Sequence, residues 1–276
     1  MKIKVAVFPL GYLWDFDLDK VVGNLNKLSK NFEVAIESPV RNIGNADLYG
    51  FGYSFDRLFS LFPKLSVDTI QIGITAVPIE NNYYGYYEEE TNKIICTLFE
   101  MDEVCEKAFV TREDYVSQAI LTAILWNQYN KRQPHSEYMD IFHDDVRGCL
   151  FDFCGNKLDL VTGLKAKRID PICRGRLIEA NVSETVVEEV EEALNKMRTP
   201  SFLQSIEEGM KSPFFSFMLG GLVLGLLINV TSSLLLGDFD SSTDYYAVII
   251  LPTIALILVI TNYVRVLRRS KKRNYI

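Results

Sequence analysis

Two long stretches without a charged residue most constrain what this chain can fold into. "FFSFMLGGLVLGLLINVTSSLLL" runs from Phe214 to Leu236 and "YYAVIILPTIALILVITNYV" from Tyr245 to Val264. A bilayer core of about 30 Å takes roughly 20 helical residues, and both stretches meet that length. Two such runs side by side are rare in water-soluble folds. They are expected to be transmembrane helices, with a buried helical hairpin as the alternative. The segment after the second run carries Arg265, Arg268, Arg269, Lys271, Lys272 and Arg273, whereas the connection "GDFDSSTD" carries only Asp238, Asp240 and Asp244. The positive-inside rule then puts the tail in the cytoplasm. An even number of spans returns the N-terminal part to the same side. The expected location is a bacterial inner membrane.

A simple anchor needs one helix, so the pair calls for a further reason. Gly221 and Gly225 lie at the four-residue spacing that lets helices approach closely. Asn229, Ser233, Thr261 and Asn262 put amides and hydroxyls inside or at the ends of the spans, where contact with lipid is costly. These six residues either hold helices together in a passive anchor or line a pore. Two helices cannot enclose a water path, so a pore requires a homo-oligomer, such as a tetramer.

The rest of the chain is a different kind of sequence. Of 276 residues, 48% are apolar and 12% aromatic, enough for an ordinary core and too apolar for a disordered chain. The net charge of −7 excludes a general nucleic-acid coat. The opening "MKIKVAVFPL" gives way at once to "GYLWDFDLDK", which is not a signal-peptide pattern. Five scattered cysteines then suggest reduced thiols in the cytosol.

The pattern from residue 3 to 130 reads as α/β. "KIKVAVFPL", "NFEVAIESPV" and "DTIQIGITAVPI" have strand character. "DFDLDKVVGNLNKLSK" is an amphipathic helix, and a short helix is expected within "YGFGYSFDRLFSLF". Tyr86 and Tyr87 lead into a hairpin whose second arm is "IICTLF". Thr111 caps a long helix reaching Asn130, apolar around much of its circumference and therefore expected to be central. Further on, "NVSETVVEEVEEALNKMR" carries Val182, Val186, Val190, Leu194 and Met197 as one stripe. That stripe either packs on the preceding domain or pairs with copies of itself as a stalk.

The segment His143–Leu177 holds one of the two histidines and three of the five cysteines. The strand "QIGITAVPI", the hairpin ending "KIICTLFEM", the long helix, then His143 and "CLFDF" together resemble the archaemetzincin family of zincins, over about residues 1–180. That family carries HExxHxxGxxH from its helix onward, followed by cysteines. The resemblance implies a mixed sheet with a central helix, with His143 as the third histidine of the motif. Asp144 and Asp170 stand where two of the family's structural cysteines would be. The helix itself departs from the motif: Leu121, Thr122 and Leu125 fall on the His, Glu and His places. Catalytic zinc needs three protein ligands and a water, so no catalytic residue is expected. His143, Cys149, Cys154 and Cys173 are weak candidates for structural zinc. Four residues separate Cys149 from Cys154 and eighteen separate Cys154 from Cys173, without the close pair usual in zinc knuckles. The favoured expectation is the remnant of a metal site, with no cofactor.

Lys157, Lys165, Lys167, Arg168, Arg174 and Arg176 form a basic set in an acidic chain. They suit a phosphorylated ligand, a solvated face or lipid head groups. "YYGYY" offers rings for base stacking or for strand packing. Taken whole, the plan resembles the membrane effectors of bacterial anti-phage systems, of the Hailong type or the two-span CBASS type. That resemblance implies a homo-oligomer gated by a nucleotide or oligonucleotide from a partner nucleotidyltransferase, acting on the lipid membrane. The alternatives are a membrane-anchored zinc metallopeptidase and a non-conducting scaffold. The expected organisation is a zincin-like sensor domain (1–180), a helical stalk (181–212), two spans within 213–267 (214–236 and 245–264) and a basic tail (268–276).

Overall fold

The computed structural model describes residues 2–88, 91–131, 141–197 and Gly225. The chain divides into two compact units, Met1–Thr199 and Pro200–Ile276. Apart from Gly225, both expected spans, with Gly221, Asn229, Ser233, Thr261 and Asn262, lie outside the described residues, as does the basic tail. Gly225 is helical. Among the described residues no helix is long and apolar enough to cross a membrane.

The first unit is built on a mixed five-stranded sheet of order β2-β1-β3-β5-β4. Strands β1 (Ile3–Leu10), β2 (Phe32–Ile36), β3 (Ile70–Thr75) and β5 (Lys93–Thr97) run parallel. The edge strand β4 (Gly85–Tyr87) returns antiparallel to β5, with Tyr86 opposite Ile95, so the expected hairpin is present. Alternation sends Val5 and Val7 of β1 to one face and Phe8 and Leu10 into a separate apolar cluster. In the second cluster Phe8 meets Phe62 edge-on at 4.7 Å, over the short helix α2 (Phe55–Phe59). Gly73 makes room there: a Cβ on it would come within 2.9 Å of Phe62.

The larger core lies between the sheet and the helices packed on it. Helix α1 (Leu18–Leu28) is capped by Asp17, whose carboxylate accepts from Lys20 N at 2.8 Å. Helix α3 (Met101–Ala108) buries Met101, Val104, Cys105 and Ala108 at i, i+3, i+4 and i+7. Helix α4 (Arg112–Asn130) starts with a reciprocal capping box between Thr111 and Asp114. Twelve of its nineteen residues are buried, which makes it the central helix the sequence led us to expect.

Helices α5 (Leu160–Ala166), α6 (Pro171–Glu179) and α7 (Glu184–Met197) complete the unit. Val186, Val190 and Leu194 of the α7 stripe are buried in the main core, with Val187 and Ala193 beside them. Each such valine or leucine contributes about 1.5–3 kcal/mol relative to exposure. Glu189 on the other side of α7 accepts from Ser29 Oγ at 2.8 Å and from Lys30 N and Asn31 N at 3.1 Å, which ties α7 to the turn before β2. Residues 184–197, grouped with the stalk on sequence grounds, therefore pack into the α/β unit.

Candidate metal centre

The chain after α4 forms a tight hairpin that positions His143 and Cys149. His143 N donates to Phe151 O at 3.2 Å, and Phe153 N donates back to His143 O at 2.9 Å. The turn between them is organised by Asp152, which is buried. Its Oδ2 accepts from Gly148 N at 2.7 Å and from Cys149 N at 3.0 Å. Gly148 has φ +79°, and a Cβ on it would meet Ala166 at 2.7 Å, so the turn needs glycine on both counts. Leu150 N bonds Arg168 O at 2.8 Å, bringing the hairpin against the segment that leads into α6. That helix starts at Pro171 and is capped by Asp170, whose Oδ1 accepts from Ile172 N at 2.8 Å. Cys173 follows in its first turn.

These elements converge on one point. A ring nitrogen of His143 and the sulfurs of Cys149 and Cys173 lie within 4.8 Å of one another, and both cysteines are buried. Tetrahedral zinc with Zn–S bonds of about 2.3 Å holds its donors roughly 3.5–4 Å apart. A small contraction would bring all three donors into range. His143 Nδ1 sits 2.8 Å from Asp145 O and 3.5 Å from Asp152 Oδ1. With Nδ1 as the N–H donor, Nε2 keeps its lone pair, and Nε2 is buried without a hydrogen-bond partner. Asp152 Oδ1 is also buried and unbonded.

The thiols are electronically unequal. Cys149 Sγ accepts backbone N–H bonds from Asp170 at 3.2 Å and Phe151 at 3.4 Å. The Cys173 thiol, with these two N–H groups and His143, pulls the Cys149 pKa down to about 6 against burial. Cys173 is pushed far up because it donates to Cys149 and is buried. Burial works against a charged His143, but Cys149, the Asp145 carbonyl and Asp152 outweigh it and raise its pKa. The site thus favours negative charge on Cys149. Two thiols and an imidazole with an orphaned Nε2 suit a soft divalent ion.

Cys154, the fourth candidate, does not join them. Its thiol points to Asp152 O at 3.6 Å, and burial pushes its pKa to about 12. The α4 positions that the sequence resemblance sets against the motif are core: Leu121 and Leu125 are fully buried, and Thr122 Oγ1 donates to Gln118 O at 2.9 Å. Among the described residues, His143, Cys149 and Cys173 form the single group of metal-capable side chains.

The basic set is engaged within the fold. Lys157 is buried, with Nζ 2.6 Å from Asn82 Oδ1 and 2.9 Å from Phe99 O. Lys167 is buried between Asp114 at 3.4 Å and the α7 terminus, where it donates to Met197 O at 2.5 Å. Arg174 pairs with Glu184 and Glu191, Arg168 donates to Arg147 O, and Lys165 lies 5.0 Å from the Phe109 ring centroid. Arg176 lies on α6 and also has a partner. The tyrosines of "YYGYY" are packed: Tyr86 stacks on Phe55 at 3.9 Å and Tyr87 lies 4.6 Å from Trp126.

No protein-family model and no curated protein matches the sequence. Among solved structures the chain is similar to archaemetzincin from Archaeoglobus fulgidus, at 14% identity over 63% of this chain and 99% of that one, with a TM-score of 0.40. It is likewise similar to archaemetzincin from Methanopyrus kandleri, at 10% identity over 64% and 96% of the two chains, with a TM-score of 0.42. A third likeness is to a zinc-dependent peptidase from Methanocorpusculum labreanum, at 12% identity over 63% and 99%, also with a TM-score of 0.42. Likenesses of this size decide nothing about the site.

Proposed function

We propose that this chain is a membrane-associated binding protein. Its α/β unit is locked by a zinc-class ion on His143, Cys149 and Cys173 and does not cleave peptide bonds. The convergence of these three donors, with His143 Nε2 buried and without a hydrogen-bond partner, carries the reading. Burial favours a structural role over a hydrolytic one, because a reacting metal must be reached by substrate, whereas Cys149 and Cys173 are 2% and 1% exposed. The ion would supply cross-linking of the His143 hairpin to the first turn of α6. The chain's own residues orient the ligands: Asp152 sets the turn, the Asp145 carbonyl fixes the imidazole tautomer, and two backbone N–H groups hold the Cys149 sulfur.

The cellular reading is a two-span effector of a bacterial membrane, opened in a homo-oligomer by a nucleotide or oligonucleotide signal. It is supported by the uncharged stretches 214–236 and 245–264 and the positive charges after the second. A second reading is a membrane-anchored zinc peptidase, the activity for which the Methanocorpusculum labreanum protein is named. It is favoured by a three-ligand set that leaves a fourth place for water and opposed by the apolar α4 positions. Three measurements on one detergent-purified sample test both: metal content, hydrolysis of an unstructured peptide pool, and ion flux after reconstitution in liposomes. Zinc without hydrolysis is the expected result. Zinc with hydrolysis lost in His143→Ala would establish the peptidase.

A further inference from the structure

The sheet changes direction at β1: the chain passes through α1 to β2 on one side, then crosses to β3 on the other. In open α/β sheets the crevice at the carboxyl ends of strands beside such a point is where ligands bind. Here a crevice of about 550 Å³ opens there, lined by the loop after β1 and by Pro39 and Arg41 after β2. The metal candidates are not among its lining residues.

Two features mark this end of the sheet. The first is exposed aromatic surface. Tyr12 and Trp14, just past β1, are 68% and 76% exposed, and their rings lie 6.1 Å apart at 31°. Tyr49 and Phe51, 108% and 84% exposed, lie in the connection that follows β2 and leads to Tyr53, which bridges to Ile79 just past β3. Single exposed aromatics are ordinary, but several at one end of a sheet mark an interaction surface. The second feature is charge. Asp15, Asp17, Asp19 and Glu113 line the crevice against Arg41 as its one cationic lining residue. Asp17 is occupied as the α1 cap and Asp15 lies beside Arg112, whereas Asp19 is exposed and Glu113 half-buried.

We infer that this end of the sheet docks a basic segment of a partner protein, with arginine or lysine side chains set between the Tyr12 and Trp14 rings and the Asp19 and Glu113 carboxylates. Aromatic faces and carboxylates both attract organic cations, and the rings also bury the aliphatic stem that precedes the charge. The negative rim repels phosphate groups, so this crevice disfavours nucleic acid and anionic lipid by the same charges that favour a basic peptide.

Tryptophan emission reads this surface directly, because the chain's other tryptophan, Trp126, is buried. The experiment titrates the full detergent-purified chain with an acetylated octapeptide of alternating arginine and lysine. Spermine and octaglutamate serve as comparison probes. The expected result is a saturable change in emission that is absent in Trp14→Phe. Affinity should weaken about tenfold or more in Tyr12→Ala and in the double variant Asp19→Asn/Glu113→Gln, and octaglutamate should be silent. Peptide binding that leaves Trp14 emission unmoved, unchanged affinity in both variants, or spermine binding as tightly as the peptide would overturn the proposal.

Discussion

The backbone N–H of Asp170 lies 3.2 Å from the Cys149 sulfur, while the carboxylate of the same residue caps the helix that carries Cys173. One residue thus serves both thiols. It stabilises negative charge on the first and fixes the helical turn that presents the second. Hydrogen bonds from backbone amides are a favourable setting for a metal-bound thiolate. Because the contact comes from the main chain, it depends on the cap geometry of α6.

The Asp152 carboxylate should matter to the metal without touching it. Asp152→Ala removes the acceptor for Gly148 N and Cys149 N. Zinc affinity is expected to fall about 10- to 100-fold, as for other groups that orient ligands. Competition with a chromophoric chelator measures this, and an unchanged affinity would separate Asp152 from the centre.

The metal-free protein should show one thiolate titrating well below the others. Cys149 is lowered from the ordinary thiol value of 9.0 to about 6, so the native state holds fewer protons than the unfolded chain between those values. Its stabilising contribution is therefore complete above about pH 9, declines as pH falls toward 6, and is absent below. Thiolate absorbance at 240 nm should rise with a midpoint near 6, and Cys149→Ser should abolish that step.

Leu121 and Leu125 of α4 should behave as core. Leu121 and Leu125 are fully buried. Alanine at either place should cost about 2–5 kcal/mol, read by denaturant unfolding of the first unit through the buried Trp126. Bound zinc per folded molecule should stay unchanged. A variant that kept its stability but lost metal would place α4 in the metal centre after all.

Lys167 joins the start of α4 to the end of α7. Its ammonium bonds Met197 O and faces Asp114, and burial lowers its pKa although Asp114 raises it. Lys167→Met leaves the helix carbonyl unanswered and should cost about 1–3 kcal/mol. Asp114 is 28% exposed, so a double-mutant cycle with Asp114→Asn should return only a small part of that loss.

The strands and the two longest helices of the α/β unit were legible because their signals are local. Alternation marks β1, β2 and β3, the Thr111 box marks the start of α4, and Tyr86 and Tyr87 mark the hairpin. Helix α3 was missed although Met101, Val104, Cys105 and Ala108 have helical spacing. It is eight residues long and flanked by Glu100 and Phe109 in left-handed conformations without a side-chain cap at its start. Helix α5 has only seven residues and α6 is weakly amphipathic, and their basic side chains read as a cluster although they have separate partners. The four metal candidates were legible as residue types, but not which of them meet. Spacing weighed Cys149, Cys154 and Cys173 together with His143, whereas the fold joins Cys149 to Cys173 across the Leu150–Arg168 contact and leaves Cys154 aside. No local pattern encodes that pairing.

Metal stoichiometry tests the central claim most directly. The full chain, purified in detergent and equilibrated with zinc, is desalted and measured by inductively coupled plasma mass spectrometry, beside the triple variant His143→Ala/Cys149→Ser/Cys173→Ser. About one zinc per wild-type chain and none in the variant is the predicted result. A wild-type chain that stays folded and holds no zinc, or a variant that holds as much as the wild type, would contradict the account.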